Sequence, residues 1–369
     1  MTGNKPVINV TKTYLPSLDK YNSFLKKVWE SGWITNNGPL TKKLADDIKN
    51  YLAIRNIELV ANGTLAIQLA IKALNLRGEI ITTPYSYVAT TSAIMWEGCD
   101  PVYVDINEKS LCINPDLIEE AITDKTTAIL ATHVYGYPCD VSQIDRLAKK
   151  YNLKVIYDAA HCFGVQQNGE SLLSAGDCSI LSFHATKLFH TGEGGAVIST
   201  NDKLSKRIFL MKKFGHIGEE EYLETGINAK MSELHAAIGL CVLPDMDKIL
   251  TERKIIYDYY NKLLLNTSNN ILTLPNIPDG LKYNYSYYPV IFNSYEKMMK
   301  TRQSLIENGI IPRRYFSPSL NTLPYLKPRL KRRCPVSESI ADRVLCLPLY
   351  AGLKLSSIDY ICHIIKHNN

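Results

Sequence analysis

The sequence predicts an α/β protein, with a mostly parallel central sheet in a large domain and a smaller α+β C-terminal domain. Two observations carry this. Short apolar runs alternate with helix-periodic stretches over the first two-thirds of the chain. That alternation builds strand-helix-strand units whose helices cover both faces of a sheet. From about residue 231 the pattern changes to long helix-periodic stretches, then to a mixed α+β segment. A length of 369 residues also exceeds what one ordinary core usually holds.

Taken in order, strands are expected at Ile57–Ala61, Glu79–Thr83, Pro101–Ile106, Thr127–Thr132 and Lys154–Tyr157. Each is a short apolar run. Helices are expected between them, as at Leu65–Leu76 and Val141–Lys150. Cys178–Phe183 and Gly194–Thr200 read as a strand pair around a polar turn. Met231–Leu243 and Ile249–Leu265 have helical periodicity. Tyr285–Phe292 reads as a strand, Glu296–Asn308 as a helix, and a closing helix lies near Ser356–Ile365. The expected division is 1–250 for the large domain, with an N-terminal arm, and 251–369 for the small one.

Composition narrows the function classes. The chain is 46% hydrophobic and 21% charged, ordinary for a folded protein. Its net charge of +6 is too mild to argue for nucleic acid and suits an anionic small substrate. No run of 18 apolar residues occurs, so no membrane span is expected. The first residues lack the apolar core of a signal peptide. Nine scattered cysteines with no Cys-x-x-Cys pair read as reduced thiols, which predicts a cytoplasmic protein. No His/Cys cluster has metal-ligand spacing, so no metal is expected.

In open α/β sheets the chemistry sits beyond the carboxyl ends of the strands. Asn62-Gly63-Thr64 follows the first run. It is either a plain helix cap or a helix start whose free N–H groups hold a phosphate. Pro84-Tyr85-Ser86-Tyr87 follows the second, and a tyrosine there packs in the core or stacks on a flat ligand. Asp158 ends the fifth run, where a buried carboxylate needs a partner. It could cap a helix, bind a metal or hold a cationic ring nitrogen. Lys187 lies just beyond Cys178–Phe183 and beside the turn Gly192-Glu193-Gly194-Gly195. It is either a solvated surface lysine or a desolvated amine for Schiff-base chemistry. His184 and His190 read as polar packing. Each signal is weak alone. Together they supply what pyridoxal 5'-phosphate requires: donors for its phosphate, a face for its ring, a carboxylate for its pyridinium nitrogen and an amine for its aldehyde.

The stretches Asn62–Ala66, Pro84–Thr90, His133–Pro138, Val155–Gly164, Ser182–Val197 and Gly226–Leu240 resemble the DegT/StrS family of sugar-nucleotide aminotransferases, within fold-type I pyridoxal-phosphate enzymes. The resemblance implies that Lys187 bonds the cofactor and shuttles a proton, and that Asp158 pairs with the pyridine nitrogen. Ala160 and Tyr87 would flank the ring, and His161 would stand where the family often has Gln, near the ring hydroxyl. Gly63, Thr64 and Ser182 would bind the phosphate. Asn228 would reach it from a neighbouring subunit, which implies a homodimer with shared active sites. Lys230 stands where many relatives carry Arg, and Glu193 is a site neighbour without a defined role.

Two further segments, Trp33–Pro39 and Arg313-Arg314-Tyr315-Phe316, look like those of enzymes acting on dTDP-4-keto-6-deoxyglucose. Arg313, Arg314 and Tyr315 would contact that substrate, the arginines at its diphosphate. Ser317 replaces an aromatic frequent in that subgroup. The implied reaction moves the amino group of L-glutamate onto C4 of the sugar. The alternatives are C3 transamination of the 3-keto isomer and a non-catalytic relative that binds nucleotide sugars. A simple amino-acid aminotransferase would need an arginine for each substrate carboxylate, and no such pair is found by motif. Lys327–Arg333, basic at five of seven positions, is an exposed loop or an attractor for the nucleotide. The Tyr-rich stretch Tyr283–Tyr288 is a packed strand or a lining of the sugar site.

Overall fold

The computed structural model describes residues 7–264, 271–273 and 277–367. A seven-stranded sheet forms the centre. Its spatial order is Asn56–Val60, Gly195–Ser199, Cys178–Ser182, Lys154–Asp158, Thr126–Thr132, Glu79–Thr82 and Asp100–Tyr103. Gly195–Ser199 runs antiparallel to both neighbours, and every other pairing between neighbours is parallel. Buried residues dominate the central strands because helices cover both faces. Thr126–Thr132 has six of its seven residues buried, which is why it reads as a continuous apolar run.

The expected strands and helices fall within a few residues of those observed. Helix Gly63–Ala73 buries Ala66, Ile67 and Ala70 and packs on strands Cys178–Ser182 and Gly195–Ser199. Helix Val141–Tyr151 starts where the Asp140 carboxylate accepts the Gln143 N–H at 2.9 Å. It stops at Asn152 in the left-handed conformation.

Two expectations need adjustment. Position 250 falls inside the continuous helix Met246–Leu264, so no linker marks the change in architecture there. The N-terminal arm also reaches the C-terminal part, since Ile8–Asn9 pairs in parallel with Ile310–Ile311. Further, only Pro289–Phe292 of the expected strand Tyr285–Phe292 is a strand. The backbone just before it is bonded elsewhere. Buried Arg253 donates to the carbonyls of Tyr285 and Ser286 at 2.9 and 2.7 Å. The Asn284 amide donates to the carbonyls of His161 and Phe163 at 2.8 and 3.0 Å. Burial pushes the Arg253 guanidinium down to about 10, so it stays charged at neutral pH.

The C-terminal part is tied to the sheet by polar contacts as well as by a shared apolar core. The buried Asp105 carboxylate accepts the N–H groups of Val336 and Ser337 at 2.8 and 2.9 Å. It thereby caps helix Pro335–Arg343 from more than 200 positions away in the chain. Arg329 of the basic run grips Asp100 with two bonds, at 2.7 and 3.0 Å. The rest of that run's cations lie exposed. Among the described residues, no helix is long and apolar enough to cross a membrane.

Asp105→Ala should therefore lower stability by about 1–2 kcal/mol, the usual loss of a helix cap. Urea unfolding checks this, and an unchanged midpoint would contradict the cap.

Candidate active site

Lys154–Asp158 and Cys178–Ser182 are neighbouring parallel strands, with Asp158 opposite Ile180. Their carboxyl ends open on the same side. Asp158 closes one, and Lys187 follows the other by five residues. Both line one cavity of about 530 Å³. Gly63, Thr64, Tyr87, Ala160, His161, Ser182, Arg313 and Tyr315 line it too. Ten of the thirteen residues expected at the site therefore converge there.

The start of helix Gly63–Ala73 forms one wall. The Asn62 side chain caps it by accepting the Leu65 N–H at 2.9 Å. The first-turn N–H groups of Gly63 and Thr64 have no partner within the helix and remain available for an anion. The cap and phosphate-site readings of this motif are thus compatible. A Cβ on Gly63 would stand 3.0 Å from the Cβ of Ser182, so glycine permits the close approach of helix and strand. Tyr87, 58% exposed, stands at the mouth.

Asp158 is buried. Its carboxylate accepts the Thr90 hydroxyl at 2.8 Å and the Ala160 N–H at 3.2 Å. Burial raises its proton affinity, while Thr90, the Ala160 N–H and the positive charge of Lys187 pull it back. Burial pushes the Lys187 amine down, opposed by the Asp158 charge. The two form no direct ion pair. An amine shifted toward its neutral form by desolvation is the direction a nucleophilic lysine needs.

His161 is buried, and burial depresses it well below the usual imidazole range. Its Nδ1 accepts the Tyr135 N–H at 3.1 Å, so the neutral ring carries its proton on Nε2. The ring stacks on Phe316 with centroids 5.5 Å apart and meets the edge of Tyr287 at 4.9 Å. His161 can therefore give one N–H bond to a ligand acceptor, a role a glutamine amide could also fill.

Three expected residues lie elsewhere. Arg314 turns away from the cavity. It donates to the carbonyls of Ala341 and Asp342 at 2.9 and 3.2 Å and lies over the Tyr295 ring. The cause is extended backbone. Arg313 is bridged to Cys346, and successive side chains there face opposite ways. Asn228 and Lys230, two residues apart, share a face, and the Lys230 ammonium donates to Asn228 Oδ1 at 2.7 Å. Lys230 lines a second cavity of about 520 Å³ with Trp33, Asn36, Asn37 and Phe214. The Trp33–Pro39 segment thus accompanies Lys230 rather than Arg313. Buried Glu233 holds it at both ends, its N–H donating to the Ile34 carbonyl at 2.8 Å and its carboxylate accepting the Leu40 and Thr41 N–H groups just beyond at 2.7 and 2.9 Å.

Ser86, Ala89, Thr186 and Phe316 also line the first cavity, although sequence reasoning assigned them no role there; Glu193, expected as a site neighbour, lines it too, as does His184. His184 is thus a cavity residue rather than mere packing. His190 is buried packing, its Nε2 paired with the Tyr14 carbonyl at 2.7 Å. Of the Tyr-rich stretch, Tyr287 reaches the cavity. Tyr283 and Tyr288 are buried in an aromatic cluster with Tyr257.

These histidines make a stability prediction. His161 lies well below 6.5 in the folded chain, and burial pushes His133 down to about 3. The unfolded chain takes up protons near pH 6.5 where the folded one does not, so stability falls as pH drops through that range. Each group contributes up to about 1.4 kcal/mol per pH unit below it. Unfolding measured from pH 7 to 5 should show a shallower decline in His161→Gln than in the wild type. Equal slopes would contradict the buried neutral assignment.

The chain matches the DegT/DnrJ/EryC1/StrS aminotransferase family over residues 19–366. A Shigella dysenteriae protein named dTDP-4-amino-4,6-dideoxy-D-glucose transaminase is 41% identical over 368 residues, covering 98% of this chain and 99% of that one. An Escherichia coli protein of the same name is 40% identical over 356 residues, covering 95% of each. The crystal structure of DesI in the presence of its TDP-sugar product superposes with a TM-score of 0.93 at 28% identity, covering 98% of this chain and 93% of that one. With this fold, this cavity and these matches, the chain belongs to the DegT/DnrJ/EryC1/StrS aminotransferase family.

Proposed function

We propose that this aminotransferase uses pyridoxal 5'-phosphate to move the amino group of L-glutamate onto C4 of dTDP-4-keto-6-deoxy-D-glucose, giving dTDP-4-amino-4,6-dideoxyglucose. The observation that carries the substrate is the full-length identity of 40–41% to two proteins bearing that product's name. The cofactor reading rests on the cavity. It holds a buried carboxylate, a partly desolvated amine and a helix start with free donors.

Bound there, the cofactor supplies an electron sink that lets carbon next to nitrogen lose and regain a proton. The chain's own groups do the rest. Lys187 anchors the cofactor and, once displaced, carries the proton between carbons at each stage. Asp158 would pair with the ring nitrogen and favour its protonated form. Gly63, Thr64 and Ser182 would hold the phosphate, and Ala160 and Tyr87 would flank the ring. His161 Nε2–H would donate to the ring hydroxyl. Arg313 offers the nucleotide diphosphate a cation, and Tyr315 flanks the sugar.

Two copies make the working unit, with Asn228 of each reaching the other's phosphate. The Lys230 ammonium occupies the Asn228 oxygen and so leaves the amide N–H groups for that contact. All nine cysteines are buried free thiols, which fits work in the reducing cytoplasm.

Lys187→Ala should lower turnover by at least about 10²–10⁴-fold, the range for a positioned proton carrier, while the unfolding midpoint holds. Full activity in that variant would overturn the assignment. Incubation with L-glutamate and the 4-keto sugar, followed by NMR of the product, should place nitrogen on C4. Nitrogen on C3, or reaction only with the 3-keto isomer, would refute the substrate.

A further inference from the structure

Three hydroxyls lead to Asp158 through the interior. Thr132 Oγ1 donates to Ser86 Oγ at 3.2 Å, Ser86 Oγ lies 2.9 Å from Thr90 Oγ1, and Thr90 Oγ1 donates to Asp158 Oδ2 at 2.8 Å. All four residues are buried. They come from three elements. Thr132 and Asp158 end neighbouring strands, in register with one another. Thr90 lies in the first turn of helix Ala89–Trp96, and Ser86 in the loop that leads into it.

Proton counting fixes the direction. A hydroxyl has one proton to give. Thr90 gives its own to the carboxylate, so between Ser86 and Thr90 it must accept. Ser86 then gives its proton to Thr90 and accepts from Thr132. All three protons point toward Asp158. If Asp158 were protonated on Oδ2, it would donate to Thr90 and the chain would reverse. The Thr132 proton would then need a new acceptor, and none is found for it among the described residues. The Ala160 N–H, donated to the other oxygen at 3.2 Å, also favours the anion.

We propose that Thr90, Ser86 and Thr132 are positioning residues, a one-way hydroxyl relay that holds Asp158 ionised and oriented in its buried place. This rests on the reading of Asp158 as the partner of the cofactor's ring nitrogen, for which a neutral acid would not serve. The relay opposes the desolvation that otherwise drives Asp158 toward its neutral form. The other titratable groups in electrostatic contact with Asp158 are Lys187, Cys162 and Tyr287. Of these, the lysine cation alone supports the anion. Aligned bonds in a low-dielectric interior strengthen one another.

The test needs no cofactor, because the Asp158 charge raises the proton affinity of Lys187. In the cofactor-free full chain, the rate of Lys187 acylation by acetic anhydride is followed against pH by mass spectrometry. Thr90→Val should neutralise Asp158, free more neutral amine and speed labelling about three- to tenfold below the midpoint. Asp158→Asn should do the same, Thr132→Val should do so more weakly, and Thr90→Ser should keep the wild-type rate. Asp158→Asn faster with Thr90→Val unchanged would overturn the relay and leave the proposed function intact. No change in either would overturn it as well, since Asp158 would then carry no charge to hold. A Thr90→Ser that behaved like Thr90→Val would assign the effect to packing and overturn it too. Should Thr90→Val fail to fold, Ser86→Ala takes its place with the same expectation. A wild-type chain that takes up no pyridoxal phosphate would instead refute the proposed function, and labelling would still report on the relay.

Discussion

Asp158 and Lys187 share one cavity, the first buried and the second half-buried, and do not pair with each other. A buried charge without a partner costs several kcal/mol. The surrounding structure is arranged to bear this. Asp158 receives the Thr90 hydroxyl and the Ala160 N–H. Lys187 is shifted toward its neutral form. Their separation follows from the sheet, since they extend from adjacent parallel strands of fixed register. A flat cofactor with a basic nitrogen at one end and an aldehyde at the other matches that arrangement.

The far wall depends on segments distant in sequence. Phe316 stacks on His161, and Tyr287 closes on its edge. Arg253, on a long helix, fixes the backbone just before Tyr287 through two carbonyls. Asn284 and Ser286 bond the His161 carbonyl at 2.8 and 3.1 Å. The Leu320 N–H bonds the Pro84 carbonyl at 2.8 Å, three residues before the tyrosine at the cavity mouth. The C-terminal third therefore shapes the site although it supplies neither Asp158 nor Lys187.

Much of this was legible in the sequence. Burial on both faces makes a strand a plain apolar run, so the sheet and the residues beyond its strands could be read directly. Asp158, Lys187 and the Asn62–Thr64 turn were found that way. What was not legible depends on three-dimensional choices. Arg313 and Arg314 look alike in sequence, yet an extended backbone sends one into the cavity and the other to Asp342. The run before Pro289 has strand composition, but the Arg253 side chain claims two of its carbonyls. Thr90 resembles any threonine in a helix start, and its bond to Asp158 spans 68 positions. The boundary near 250 is hidden because one helix carries through it.

The central claim is that Lys187 and Asp158 hold a pyridoxal cofactor that alternates between an amino acid and a sugar. The most direct measurement is the visible absorbance of the chain after loading with pyridoxal phosphate and removal of the excess. The account predicts a protein-bound band that L-glutamate bleaches and dTDP-4-keto-6-deoxyglucose restores. A wild-type chain with no band, or a band unchanged in Lys187→Ala, would contradict it.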